Sequence, residues 1–230
     1  MNKKAYFSNK SNWWPPQKTW HIFRRNWCFL LLFIMVAAMG LITVNLHNFL
    51  AISQPVKEAE ILVVEGWLPD YAIKEAIGEF NSGKYQLVIT TGLPLSKGYY
   101  LAEYKNFAQL AAATMVKLGF DPNKLVAVPG PEVMKDRTYA SAIALREWLQ
   151  GAKNPVKAIN LYTFGPHARR SWLLFKKALA PEITVGVIAV APQDYDPQYW
   201  WRTSEGVRTV IGETIAYVYA RLSLGGLPKP

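Results

Sequence analysis

Ala158-Ile159-Asn160-Leu161-Tyr162-Thr163-Phe164-Gly165-Pro166-His167-Ala168-Arg169-Arg170 runs from an apolar, strand-like stretch straight into the start of a helix. Ala158 to Thr163 predicts a strand, and Pro166 to about Ala178 predicts a helix. In α/β proteins such a junction faces the ligand, because the free N–H groups of a helix start favour anions. His167, Arg169 and Arg170 sharpen that preference. The segment therefore predicts a site for a phosphate or a carboxylate.

Outward from this junction, short apolar runs alternate with helical patterns. Ile61-Leu62-Val63-Val64 ends at Glu65-Gly66 and precedes a helix from Asp70, read as an N-cap, to about Asn81. Leu87-Val88-Ile89-Thr90-Thr91 ends at Gly92, and a helix from Ala102 to Leu118 stops at Gly119. Leu125 to Val128 ends at Pro129-Gly130, a helix covers Thr138 to Gln150, and Thr184 to Val190 supplies a fifth strand. Strands that are apolar on both faces and separated by helices predict a parallel sheet covered on both sides. The fold class is a three-layer α/β/α Rossmann-like domain. Its ligand should lie outside the carboxyl ends of the strands. That rule gathers Glu65, Gly66, Trp67, Thr91, Gly92, the segment after Val128, and Thr163 to Arg170 into one crevice.

Trp27 to Val44 carries no charge and only Thr43 as a polar residue, close to the roughly 20 residues that cross a bilayer as a helix. A buried core helix would show a polar stripe, and this stretch has none. The expected organisation is a basic tail (1–26), a transmembrane signal anchor (27–47), a linker (48–57), an α/β domain (58–222) and a short tail (223–230). Lys3, Lys4, Lys10, Lys18, Arg24 and Arg25 precede the span, and no acid occurs before Glu58. The positive-inside rule then keeps the N-terminus in the cytoplasm and puts everything after about residue 48 outside. Trp20 and Trp27 suit the interfacial level. A cleaved signal peptide fits less well, since the basic region is long and no small-x-small site follows the apolar run.

Residues 48–230 hold 20 Lys or Arg against 16 Asp or Glu, and no nucleic-acid-binding motif is present. The single cysteine, Cys28, lies in the span, so the outer domain has neither a disulfide nor a thiolate metal site. His21 and His47 flank the span and do not form a ligand cluster with His167, so no metal is expected.

Over about residues 58–222 the chain resembles the ElyC/SanA/YdcF family of bacterial envelope-associated proteins. The resemblance rests on Ile61 to Trp67, on Thr91-Gly92, on Arg137-Thr138-Tyr139-Ala140-Ser141-Ala142, on Thr163 with His167 and Arg170, and on Trp200 to Arg208. The chain departs from the family pattern in its first loop, which is glycine-rich in the family and reads Glu65-Gly66-Trp67 here. In the third motif, aligned on Thr138, Arg137 stands in place of an Asn and Ala140 in place of a Glu. The resemblance implies a bacterial envelope location, which together with the predicted span means the inner membrane, and a link to cell-wall or surface-barrier maintenance. It names no reaction and no cofactor.

His167 and Arg170, three apart, would share one helix face and offer an anion an imidazole and a guanidinium fork. Arg137 and Thr138 would supply a second wall, and Arg169 points in a different direction. Glu65, at a strand end, is either a general base with a raised pKa or the salt-bridge partner of Arg170 or Arg137. The candidate catalytic residues are thus His167 and Glu65, and the candidate ligand-binding residues are Arg170, Arg169, Thr163, Thr138, Arg137, Gly66, Thr91 and Gly92. Trp67, Trp200 and Trp201 either wall a prenyl chain or sugar, or pack the domain's edge or rest on the membrane surface, where tryptophan is enriched. In the last helix, Val207, Val210, Ile211, Ile215, Val218 and Leu222 form a stripe expected to pack in the core. Three functional classes follow. The first binds or processes a phosphorylated envelope intermediate, such as a lipid-linked sugar precursor. The second binds a nucleotide-like ligand, although no Gly-x-Gly-x-x-Gly is present. The third docks a protein partner.

Overall fold

A computed structural model describes the backbone of residues 17–151 and 155–223, with side chains from residue 27 onward. The basic tail through residue 16, the side chain of Trp20 and residues 224–230 lie outside the described residues. The chain divides into two units, residues 1–43 and 44–230.

The first helix, α1 (Gln17–Leu50), is continuous. From Trp27 to Leu50 its 24 residues are long and apolar enough to cross a membrane, about 36 Å at 1.5 Å per residue against a hydrocarbon core of about 30 Å. Phe33 is 70% and Leu41 67% exposed, and the large apolar side chains between Trp27 and Val44 face outward all round the helix. Such a surface suits lipid rather than water.

The second unit is a five-stranded, all-parallel sheet in the order β3-β2-β1-β4-β5. Its strands are β1 (Ile61–Glu65), β2 (Leu87–Gly92), β3 (Leu125–Pro129), β4 (Ala158–Phe164) and β5 (Thr184–Val190). The crossover helices are α2 (Asp70–Ser82), α3 (Phe107–Lys117), α4 (Arg137–Gln150) and α5 (Ala168–Leu179), and α6 (Ser204–Ser223) ends the described chain. The α/β/α architecture expected from the sequence is what forms.

The continuous apolar runs are explained by burial on both faces. Side chains alternate across a strand. Ile61 and Val63 of β1 join Ile89, Ile159 and Leu161 beneath α4 and α5. Leu62 and Val64 join Val88 and Tyr162 beneath α2 and α3. The same parity carries past the apolar residues, so Glu65, Thr91 and Thr163 fall on the α4/α5 side at the strand ends. Because β1 pairs with both β2 and β4, the chain reverses direction across the sheet there, and the strand ends diverge into a crevice.

Several element boundaries differ from the sequence reading. Asp70 is the first helical residue of α2, and Pro69 occupies the cap. α3 begins at Phe107, five residues later than the periodicity suggests, because Asn106 Oδ1 accepts from Gln109 N–H at 2.8 Å and caps the helix there. The segment expected as a linker is not free: α1 continues to Leu50, and Gln54 pairs with Val187 at the edge of β5. The α6 stripe is not core. Val210 is buried, but Val207, Ile211, Ile215, Val218 and Leu222 are 40 to 82% exposed. The sheet face is already covered by α4 and α5, so α6 buries the small residues Gly206 and Ala220 together with Val210.

Trp200 is buried beside Leu50, Tyr195 and Val210, with Trp201 partly buried against it. Both pack against this edge cluster of the domain.

Candidate functional site

The crevice at the switch point is a cavity of 590 Å³, walled by Glu65, Trp67, Thr91, Gly92, Thr138, His167 and Arg170 among others. Most of the predicted site residues do converge. At its floor lies Glu65, 3% exposed, whose carboxylate accepts from the Thr163 hydroxyl and from Ser171 Oγ at 3.2 Å. Thr163 comes from the neighbouring strand and Ser171 from the second turn's edge of α5, both on the face that strand parity assigns to Glu65. Thr163 does not line the cavity, and its hydroxyl is held by Glu65.

His167 ends a short 3-10 turn, Gly165–His167, and occupies the N-cap position of α5. Pro166 fixes the turn's φ and has no N–H to lose. The imidazole Nδ1 lies 2.9 Å from Glu213 Oε1, a carboxylate on α6. Arg170 donates from Nε to Glu213 Oε2 at 2.9 Å, from Nη2 to Oε1 at 3.1 Å, and from Nη1 to Thr138 Oγ1 at 3.3 Å. Arg170 Nη2 is also 2.9 Å from His167 Nδ1. One nitrogen does not both donate to a carboxylate and accept from a guanidinium. With Glu213 in reach, the favourable assignment puts the proton on Nδ1, facing Glu213.

His167 Nε2 then faces Glu65 Oε2 at 3.7 Å, which is ion-pair range but too long for a hydrogen bond. It is buried without a hydrogen-bonding partner. Burial by itself would lower the His167 pKa, but the charge of Glu65, the hydrogen bond to Glu213 and the charge of Glu213 outweigh it and push it up to about 9. The raised pKa favours the imidazolium, whose Nε2–H is ion-paired with Glu65 but has no acceptor within hydrogen-bond distance. Burial opposes ionisation of Glu65, yet the His167 charge, the Thr163 hydrogen bond and Arg170 hold its carboxyl below the usual range. This is the reverse of the raised pKa that a general base would show. Trp67 packs edge-on against the imidazole at 4.8 Å between ring centroids and walls the same cavity.

The structure corrects several predicted roles. Arg170 is not a free anion receptor, because it is paired with Glu213. Arg170 acts on Glu65 through its charge and makes its ion pair with Glu213 instead. Arg169 does not line the cavity; it donates to the Phe49 carbonyl and stacks over the Phe49 ring at 3.9 Å. A cation there neutralises the carbonyl end of α1. Gly66 and Gly92 have a packing role. A Cβ on Gly92 would sit 2.6 Å from Phe107 Cβ and 2.9 Å from Ala108 N, and one on Gly66 would meet the Phe107 carbonyl. Both glycines let the first turn of α3 seat against the strand ends. Gly92 borders the cavity and Gly66 does not.

Glu213, Ser171 and Lys135 were not singled out by sequence reasoning. Glu213 had a signal, being a lone carboxylate in the apolar run from Val210 to Val218. Ser171 had none. Among the described residues no group of His, Cys, Asp and Glu is arranged to hold a metal ion.

Compared with known protein families and curated proteins, the chain matches no family model and no curated protein.

Proposed function

We propose that this chain is a single-pass, membrane-anchored protein of the bacterial envelope whose α/β domain binds or processes a phosphorylated intermediate, such as a lipid-linked sugar precursor. The observation that carries the reading is His167 Nε2, buried without a hydrogen-bond partner in a residue that lines the cavity at the switch point. A buried donor without an acceptor calls for a partner. A phosphoryl oxygen in the cavity would supply it, and the same proton is positioned for transfer to a leaving oxygen. Glu213 fixes the ring's orientation, as a carboxylate does for a catalytic imidazole. Apolar walls, including Leu93, Phe107 and Leu174, suit the organic part of such a ligand. The apolar helix Trp27–Leu50 supports membrane anchoring, and the basic residues before it support a cytoplasmic N-terminus.

The test uses the full-length protein in non-ionic detergent, with thermal shift against short prenyl phosphates and against nucleotides. Prenyl phosphates should raise the Tm of the wild type and leave His167→Asn unmoved. A shift from nucleotides alone would favour the nucleotide-like class, and no shift from either would overturn the reading.

A further inference from the structure

The first turn of α4 also lines the cavity. Asp136 precedes it at φ 55°, ψ 34°, a left-handed conformation, and its carboxylate caps none of the helix N–H groups. This geometry places Lys135 and Arg137 on the cavity rim. Both are exposed, and among the described residues neither side chain has an ion-pair or hydrogen-bond partner. A helix start alone is a weak indication of a ligand. Here two buried polar atoms without partners belong to residues lining the same cavity: Thr91 Oγ1, in a residue 1% exposed, and His167 Nε2, in one 8% exposed. One guanidinium links His167 to the helix start. Arg170 Nη1 is 3.3 Å from Thr138 Oγ1, and Nη2 is 2.9 Å from His167 Nδ1.

The charges identify what would bind. Glu65, Glu213, His167 and Arg170 neutralise one another, so Arg170 has no charge to spare for a ligand. Outside that quartet the charged groups lining the cavity are Lys135, Arg137 and Asp136. Two cations and one anion leave one positive charge, to which the helix start adds roughly half of another. Leu93, Phe107, Leu174 and Tyr219 make an apolar wall in the same cavity. A group with two or more negative charges on an apolar body matches this layout better than a carboxylate does.

We propose that the first turn of α4, with Arg137 and Lys135, is the anion subsite of the cavity and takes a phosphate monoester whose organic part lies on the apolar wall. The phosphate oxygens satisfy Thr91 Oγ1 and His167 Nε2. This inference rests on reading the cavity as a phosphorylated-ligand site, and it transfers the anion-holding role from Arg170 to Arg137 and Lys135.

The experiment is calorimetric titration of the full-length protein in non-ionic detergent with phenyl phosphate, phenol and inorganic phosphate. Phenyl phosphate should bind the wild type more tightly than either fragment. Arg137→Ala and Lys135→Ala should each weaken it about tenfold, the scale of one hydrogen bond to a charged group, and Asp136→Asn should tighten it. All three positions are on the rim, so the variants should keep the wild-type Tm; Arg137→Gln and Lys135→Gln serve if an alanine variant does not. If the Arg137/Lys135 double variant binds phenyl phosphate within twofold of wild type while His167→Asn does not bind it, the subsite is wrong and the cavity reading stands. If the wild type binds none of the three, both fall.

Discussion

Glu213→Gln is the most informative single change, because it keeps the shape of the α6 side chain and removes the charge shared by His167 and Arg170. In the folded protein burial tends to raise the Glu213 pKa, but the hydrogen bonds and charges of His167 and Arg170 bring it from 4.5 down to about 2. At 1.36 kcal/mol per pKa unit this corresponds to about 3 kcal/mol of folding free energy. The carboxylate is 20% exposed, so solvent screening removes only part of it. The His167 shift, which burial opposes, comes first from the Glu65 charge and then from this hydrogen bond, so it overlaps with the Glu213 figure in part. A similar size follows from breaking a largely buried pair, about 3 kcal/mol, since Arg170 would be left facing a neutral amide. For a unit of this size the Tm should fall by about 6 to 12 °C.

The pH dependence has two limbs. A depressed carboxyl contributes stability that is present above its unfolded pKa of 4.5 and is lost as pH falls through about 2. A raised imidazole contributes stability that is present below 6.5 and is lost as pH rises through about 9. In Glu213→Gln the acid limb should shrink, and the alkaline limb should move to lower pH because His167 keeps only Glu65. The assay is thermal unfolding of the full-length protein in detergent, followed by near-ultraviolet circular dichroism from pH 3 to pH 10. A double-mutant cycle with Arg170→Gln completes it, with an expected coupling of about 1 to 3 kcal/mol. A Tm within 2 °C of wild type, or strictly additive single effects, would refute the ion-pair account of the site.

Two other substitutions separate packing from chemistry. Gly92→Ala should cost about 1 to 3 kcal/mol by overpacking, since its Cβ would sit 2.6 Å from Phe107 Cβ; an unchanged urea midpoint would mean that α3 is free to move. Arg169→Ala should cost about 1 kcal/mol through the lost carbonyl cap on α1 and leave ligand affinity in the cavity unchanged. A loss of affinity in calorimetry would return Arg169 to the site.

The strand-to-helix junction at Thr163 to Arg170 was legible because burial on both faces of a parallel sheet leaves an unbroken apolar run, and a helix must follow to make the crossover. The same periodicity placed Glu65, Thr91 and His167 at strand ends, and the switch-point rule then brought them together. The first helix was legible for a simpler reason: Trp27 to Val44 carries no charge and only one polar side chain, which leaves it long and apolar enough to cross a membrane.

What the sequence left open were the pairings across distance. Arg170 was expected to meet an anion, and only the docking of α6 against α5 revealed that a carboxylate 43 residues along the chain already holds it. The α6 stripe shows the same limit from the other side. Its spacing specifies an apolar helix face, but whether that face is buried depends on whether the sheet surface is still free, and α4 and α5 had taken it. Periodicity is local, set by the 3.6- and 2-residue repeats of the backbone. Charge pairing and competition for burial are settled between elements, and in this protein they paired Arg170 with Glu213 and turned Arg169 to the end of α1.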